Sequence, residues 1–399
     1  MGDLVIDNVQ AMQPGEGIIA RSVRVRDGKI HALDGPAASE ADQRIDGGQR
    51  LLTPGLIDLH THGIHQFGYE VCPDHILDGA MCLARYGTTC VLPTLYNVMT
   101  PEHLGDLERL ADALPKVRHV RMPGFHLEGP CLALPGAGSD TLQGDVKLLE
   151  KHLTATAGRI RAMSISPDTP GILPVIERLC DKGIVPFITH TRATVEQTQA
   201  AIAAGARHAT HFYCVFPCPP ETDPGVRPVG AVEAILADPR CTVDFICDGV
   251  HTHPIAVQAA LAAKNYESIL LITDSNIGAG LAEGLYDSPA GYRIRVAPNQ
   301  AARVCDPGHP FDGALAGSAL TMDQGIANLL QWLDLPPEQI WAMGTSNPAR
   351  LMGWPDKGVL RPGADADLVL WEHRGPDRLR AVRTWLGGEC VYQDEASAT

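Results

Sequence analysis

The stretch Pro54-Gly55-Leu56-Ile57-Asp58-Leu59-His60-Thr61-His62-Gly63 decides the reading of this chain. A Pro-Gly turn leads into an apolar run of strand length, so its first half reads as a buried strand. Side chains two apart on a strand share a face, so His60 and His62 point together at the end of that run. Two imidazoles aimed at one point make half of a tetrahedral zinc site. A His-x-His pair can also arise without function, because histidine is common on surfaces. Its place at the carboxyl end of an apolar strand favours the first reading, since α/β enzymes gather their catalytic groups there.

Outward from this strand, seven further candidate strands follow at Thr88–Leu95, Val120–Glu128, Arg161–Ile165, Val185–His190, Arg207–His211, Thr242–Cys247 and Ser268–Thr273. Amphipathic helical patterns alternate with them, among them Asp74–Arg85, Leu173–Lys182, Val195–Ala204, Ala231–Ala237 and Pro254–Ala263. Eight such units predict an α/β protein built on a (β/α)8 TIM-like barrel. A doubly wound open sheet is the competing architecture, disfavoured because no Gly-x-Gly-x-x-Gly follows the first strand. Tyr213 to Val229 and Gly278 to Asp306 read as long strand-to-helix loops.

The two ends of the chain read as β structure. Val23–Arg26 and Lys29–Leu33 flank Asp27-Gly28, a type I′ hairpin signal. Asp367–Trp371 is followed by Ala381–Leu386, a Gly387-Gly388 turn and Glu389–Tyr392. The expected organisation is a small, discontinuous β-sandwich domain from residues 1–53 and 356–399 around a catalytic barrel from residues 54–355. Asp394 to Thr399 is expected to fray.

Composition narrows the function. The chain has 399 residues, 45% of them apolar, and a formal net charge of -15. That charge argues against nucleic acid or an anionic membrane as the partner. Eleven cysteines without paired spacing read as thiols in a reducing compartment. No apolar run approaches the roughly 20 residues of a membrane helix. Residues 1–7 lack the pattern of a signal peptide, so a cytoplasmic location is expected.

The strand ends carry a consistent set: His60 and His62 on the first, Glu128 on the third, His190 on the fifth, His211 on the sixth and Asp274 on the eighth. Each alone has a plainer reading, Glu128 as a loop-capping acid or His190 as a hydrogen-bonded core histidine. Their arrival at successive strand ends, all facing one mouth of a barrel, points to a site for Zn²⁺ or a similar divalent ion. Cys214 and Cys218 read as ordinary thiols, since no second pair completes a site, and Cys131 as a packing residue without a neighbouring base.

These motifs, with Gly124-Phe125-His126-Leu127-Glu128-Gly129-Pro130, Ala209-Thr210-His211, Asp248-Gly249-Val250-His251, Ile272-Thr273-Asp274, Leu315-Ala316-Gly317-Ser318-Ala319-Leu320-Thr321-Met322, Asn347-Pro348-Ala349-Arg350 and Gly363-Ala364-Asp365-Ala366-Asp367-Leu368, resemble the amidohydrolase superfamily, and within it the N-acetylglucosamine-6-phosphate deacetylase family. The resemblance covers nearly the whole chain. It implies a cytoplasmic homodimer acting on a small N-acyl substrate. Glu128, His190 and His211 would hold a main metal, and His60 and His62 a second, with Glu128 bridging. One or two ions are implied, zinc first, with iron or another divalent ion possible. Asp274 would be the acid/base that moves a proton between an activated water and the leaving amine. Arg227, His251, Leu315, Ala316 and Gly317 would bind substrate.

The sequence departs from that family in its loops. His211 is followed by Phe212-Tyr213-Cys214-Val215-Phe216-Pro217-Cys218, where the family usually has an Asn-Ala-Met segment. The run Cys131 to Asp140 holds neither the usual base nor histidine, and Ser275-Asn276-Ile277-Gly278 replaces an Ala-Thr-type segment. Alternatives held beside amino-sugar deacetylation are the same metal chemistry on another small amide, such as an N-acyl amino acid or a cyclic amide, and a metal-free relative without enzymatic activity.

Overall fold

The computed structural model describes residues 3–13, 17–34, 43–135, 140–288, 291–297, 301–373, 375 and 378–395. The expected fraying end lies partly beyond these, at residues 396–399, as do residues 136–139 of the Cys131 to Asp140 run.

Eight parallel strands follow in sequence order: Leu56–Thr61, Thr88–Leu95, Phe125–Glu128, Ile160–Ile165, Val185–Ile188, His208–Ala209, Thr242–Ile246 and Ile269–Ile272. All residues of the first two are buried. Burial on both faces is why these strands are continuous apolar runs rather than alternating ones. The barrel closes where Asp274 N–H donates to His60 O at 2.8 Å and Thr61 bridges Ser275 in parallel. Asp58, fully buried, reinforces that seam by accepting from Thr273 Oγ1 at 2.6 Å. Burial pushes its carboxyl up to about 7. The helices Val195–Ala204, Ala231–Ala237 and Pro254–Ala263 fall where their periodicity places them.

Three expectations need correction. The third strand begins at Phe125, not Val120; upstream only Arg121 bridges the neighbouring strand, at Cys90. The fifth and sixth strands end at Ile188 and Ala209, so His190 and His211 lie just beyond the ladder. Gly278 to Asp306 is not a plain loop. It carries a three-stranded antiparallel sheet, Gly284–Asp287, Arg293–Val296 and Arg303–Val304, over its own apolar cluster of Ile277, Ile294, Ala302, Val304 and Ala316. The stretch Tyr213 to Val229 holds no helix or strand, as expected.

The chain termini build a second eight-stranded sheet. Its order is Glu389–Gln393, Leu379–Leu386, Leu368–His373, Leu51–Pro54, Leu4–Gln13, Gly17–Arg26 and Lys29–Leu33, with Gln43–Asp46 on Leu4–Gln13. Asp27 (φ 49°) and Gly28 (φ 76°) form the hairpin turn with both central residues in the left-handed region, as a type I′ turn requires. Strand Leu368–His373 shows how the sheet divides its faces. Leu368 and Leu370 enter a core with Ile6, Val25, Ile30 and Trp385, whereas Val369 and Trp371 enter the barrel's core.

Trp371 is the main anchor between the two sheets. It is fully buried, lies tilted against Trp341 with ring centroids 5.3 Å apart, and donates from Nε1 to Thr53 Oγ1 at 2.8 Å. Gly87, at φ +73°, is needed beneath it, because a Cβ there would lie 2.2 Å from the indole. Among the described residues no helix is long and apolar enough to cross a membrane. Trp371→Ala is expected to destabilise the fold by about 3–5 kcal/mol, measured as a lowered denaturant midpoint.

Candidate active site

The strand ends deliver their side chains to one point. His60 and His62 come from the first strand, with Nε2 atoms 3.3 Å apart. Glu128, from the third strand, sits between two pairs of rings. Its Oε2 lies 3.6 Å from His60 Nε2 and 3.3 Å from His62 Nε2. Its Oε1 lies 3.0 Å from His211 Nε2 and 3.3 Å from His190 Nε2. Asp274 Oδ1 completes the cluster, 3.1 Å from His62 Nε2 and 3.5 Å from His60 Nε2. His190 (φ 48°), His211 (φ 34°) and Asp274 (φ 47°) all occupy the left-handed region. This unfavourable backbone turns each side chain inward as its strand ends, and such strain collects at functional sites.

The outer nitrogen of every ring is spoken for. The Nδ1–H groups of His62, His190 and His211 donate to the carbonyls of Thr94 (3.1 Å), Leu134 (3.2 Å) and Cys214 (3.3 Å). Thr210 Oγ1–H donates to Asp244 Oδ2 at 3.0 Å, so its oxygen accepts from His60 Nδ1 at 2.9 Å. Once deprotonated, each ring presents a bare Nε2 lone pair to the centre, alongside carboxylate oxygens. That deprotonated set is all acceptors, and it fits a divalent cation with nitrogen and oxygen ligands. Two groups have donor atoms within 4.8 Å of one another: His60, His62 and Asp274, and His60, Glu128 and His211. His190 reaches Glu128 but falls outside both groups.

The same crowding sets the protonation. Burial would raise the Glu128 and Asp274 carboxyls, yet the imidazoles outweigh it, holding Glu128 well below the usual range and Asp274 at about 2. Burial would lower His62 and His211, but the carboxylates win, raising His62 well above its ordinary value and His211 to about 9.

A cavity of about 400 Å³ opens above the cluster. His62, Glu128, His190, His211 and Asp274 line it, with Cys214, Val215, Ile246 and Val250 forming an apolar wall. Of the expected substrate residues, His251, Leu315 and Gly317 line it. Asp248 Oδ2, 2.6 Å from His251 Nδ1, orients that ring. Ala316 is buried just behind. Arg227 is elsewhere: 67% exposed, with its guanidinium on Glu233 Oε1 at 2.8 Å. Sequence reading missed Tyr96, whose ring stands edge-on to His62 at 4.9 Å, and Asn276. It also missed half-buried Glu70, which accepts from the N–H groups of Tyr96 (2.5 Å) and Asn97 (2.8 Å) and so fixes the Tyr96 loop.

The chain has close kin among known proteins. It is 30% identical to the N-acetylglucosamine-6-phosphate deacetylase of Lysinibacillus sphaericus over 375 residues, spanning 92% of this chain and 93% of that one. The chain belongs to the N-acetylglucosamine-6-phosphate deacetylase-like amidohydrolases. The Amidohydrolase family model matches residues 305–393. An N-acetylgalactosamine-6-phosphate deacetylase from Escherichia coli O157:H7 is 27% identical, over 92% of this chain and 93% of that one. The Mycobacterium smegmatis N-acetyl-D-glucosamine-6-phosphate deacetylase, solved with N-acetyl-D-glucosamine-6-phosphate, superposes with a TM-score of 0.80 at 27% identity, covering 98% of this chain and 99% of that one. This amidohydrolase is thus a hydrolase of amide C–N bonds.

Thr210→Val keeps the shape but removes the hydroxyl that fixes His60. It is expected to weaken divalent-metal affinity by about 10–100-fold, measured by competition with a chelator. Metal must also displace the proton that His211 holds up to about 9. Apparent affinity should therefore rise with pH between 7 and 9, by about tenfold per unit for each proton released.

Proposed function

We propose that this chain removes the acetyl group from an N-acetylated amino sugar, N-acetylglucosamine 6-phosphate or a close relative, at a metal site formed by the strand-end cluster. The observation that carries the reading is the convergence of four imidazole Nε2 atoms on Glu128 and Asp274 at the floor of the cavity. Its support from outside is the kinship to named sugar-phosphate deacetylases. Glu128, His190 and His211 would hold one ion, and His60 and His62 a second, with Glu128 between them. Zinc suits the nitrogen-rich set best, iron next. A bound divalent ion brings the pKa of water towards neutrality and polarises the amide carbonyl.

The remaining work falls to side chains. Asp274, ionised at neutral pH, takes a proton from the attacking water and delivers it to the amide nitrogen, so that the amine leaves neutral rather than as an anion. His251, braced by Asp248, contacts the sugar. Arg227 would serve the phosphate only by exchanging its Glu233 partner. A homodimer in the cytoplasm is the assembly and location that go with the resemblance. The second reading is hydrolysis of an uncharged amide. The cavity favours it in one respect: among the described residues that line it, none is Lys or Arg.

Acetate release from N-acetylglucosamine 6-phosphate and from unphosphorylated N-acetylglucosamine, side by side with zinc-loaded protein, tests the proposal. Turnover of the phosphate is expected. Asp274→Asn should lower kcat by about 10²–10⁴-fold while substrate still binds. Metal-loaded protein that turns over neither sugar would overturn the amino-sugar reading.

A further inference from the structure

The cavity above the cluster does not end at its own walls. Four of its lining residues, Tyr96, Asn276, Leu315 and Gly317, also line a smaller pocket of about 80 Å³. The far wall of that pocket is aromatic. Tyr292 and His309 lie 5.0 Å apart by ring centroids, and His309 and Phe311 5.8 Å. Tyr292 immediately precedes one strand of the three-stranded sheet, and Val304, buried on another strand, also lines the pocket. The loop bearing His309 and Phe311 is fastened at its base, where Asp306 N–H donates to Asp312 Oδ1 at 2.9 Å and Ala314 N–H to Phe311 O at 2.9 Å. No Asp, Glu, Lys or Arg is among the described residues lining this pocket. Phe311 is 60% exposed, so part of its ring is open to whatever occupies the pocket.

The geometry of an amide decides what that is. A secondary amide is planar and trans, so its acyl chain and its amine substituent leave on opposite sides of the C–N bond. The carbonyl carbon must reach the His60–Glu128–Asp274 cluster. The polar group for a sugar, His251, stands with Ile246 and Val250 at and just past the end of the seventh strand. The acyl chain is then directed towards Tyr96 and Asn276, at the ends of the second and eighth strands. An acetyl methyl needs little of the space there. At about 30 Å³ for a water-sized group, 80 Å³ holds two or three more such groups.

We propose that the Tyr96–Tyr292–His309–Phe311 pocket is an acyl subsite, and that the enzyme hydrolyses N-acyl amino sugars with short chains longer than acetyl, such as propionyl and butyryl. The inference rests on the deacetylase reading and names its substrate class more closely. The reaction balances as for acetyl: water adds across the amide, the C–N bond breaks, the acyl carbon gains the water oxygen, and a fatty carboxylate and the protonated amine leave.

The test compares N-acetyl-, N-propionyl- and N-butyryl-glucosamine 6-phosphate with zinc-loaded protein. Burial of two further methylenes predicts butyryl binding about tenfold tighter than acetyl, read as dissociation constants on the Asp274→Asn variant, with butyryl kcat/KM at least equal to acetyl. Ala314→Trp, at an exposed position on the pocket rim, should cost the butyryl substrate at least tenfold in kcat/KM and leave acetyl within about twofold. Phe311→Ala should shrink the butyryl advantage over acetyl. Efficient acetyl cleavage with butyryl cleaved about 100-fold worse overturns the acyl subsite and leaves the deacetylase intact. Equal losses for both substrates in Ala314→Trp overturn it too. Failure to hydrolyse any of the three, acetyl included, overturns the deacetylase reading and this inference with it.

Discussion

Lone pairs do not share a buried space unless positive charge joins them. His60, His62, His190 and His211 each spend Nδ1–H on a carbonyl or hydroxyl, and what remains is a knot of acceptors around Glu128 and Asp274. Much of the barrel's polar interior serves this arrangement. Asp244 takes the Thr210 hydroxyl, and it also accepts from His211 N–H at 2.5 Å, so one carboxylate steadies two rings. Asp58 grips Thr273, the residue before Asp274, and accepts from His60 N–H at 3.3 Å. Relaxing any of these would let a ring turn and the lone pairs part.

The barrel was legible in the sequence because parallel strands buried on both faces are unbroken apolar runs, and the ligand candidates because they punctuate those runs. Leu56 to His62 is the clearest case. The third strand's limit at Val120 is an overrun for the same reason, since Val120 and Met122 carry the apolar pattern upstream of the ladder. At the fifth and sixth strands the ladder stops before Thr189-His190 and Thr210-His211, and nothing local reveals that His190 and His211 sit at positive φ. The sheet between Gly284 and Val304 was read as loop because its strands are short and two alternate between half-buried or buried and exposed residues, without a strong apolar run. Tyr96, Asn276 and Glu70 carry no motif. Their roles come from which loops lie beside His62, and tertiary placement alone supplies that. Tyr96 follows a strand end directly, a position that could have drawn attention to it.

Rigid strand ends and variable loops divide the labour of the site. The cluster is held by ladder hydrogen bonds and buried carboxylates, while the apolar wall at Cys214 to Val215, the Glu233-bound Arg227 and the aromatic Tyr292–Phe311 side belong to connecting segments. Chemistry can stay constant while such segments change what is recognised.

The seam between the two sheets has a consequence for how the protein is made. Leu51–Pro54, which runs directly into the histidine-bearing strand, is flanked on one side by Leu368–His373, and Thr53 and Trp371 are joined across 318 residues. A ribosome therefore releases the first half of the site long before the strand that braces it exists. Closing so long a loop is entropically slow. His60 and His62 gain their final support only after Leu368–His373 has been synthesised, which leaves the nascent barrel dependent on shielding until that strand emerges.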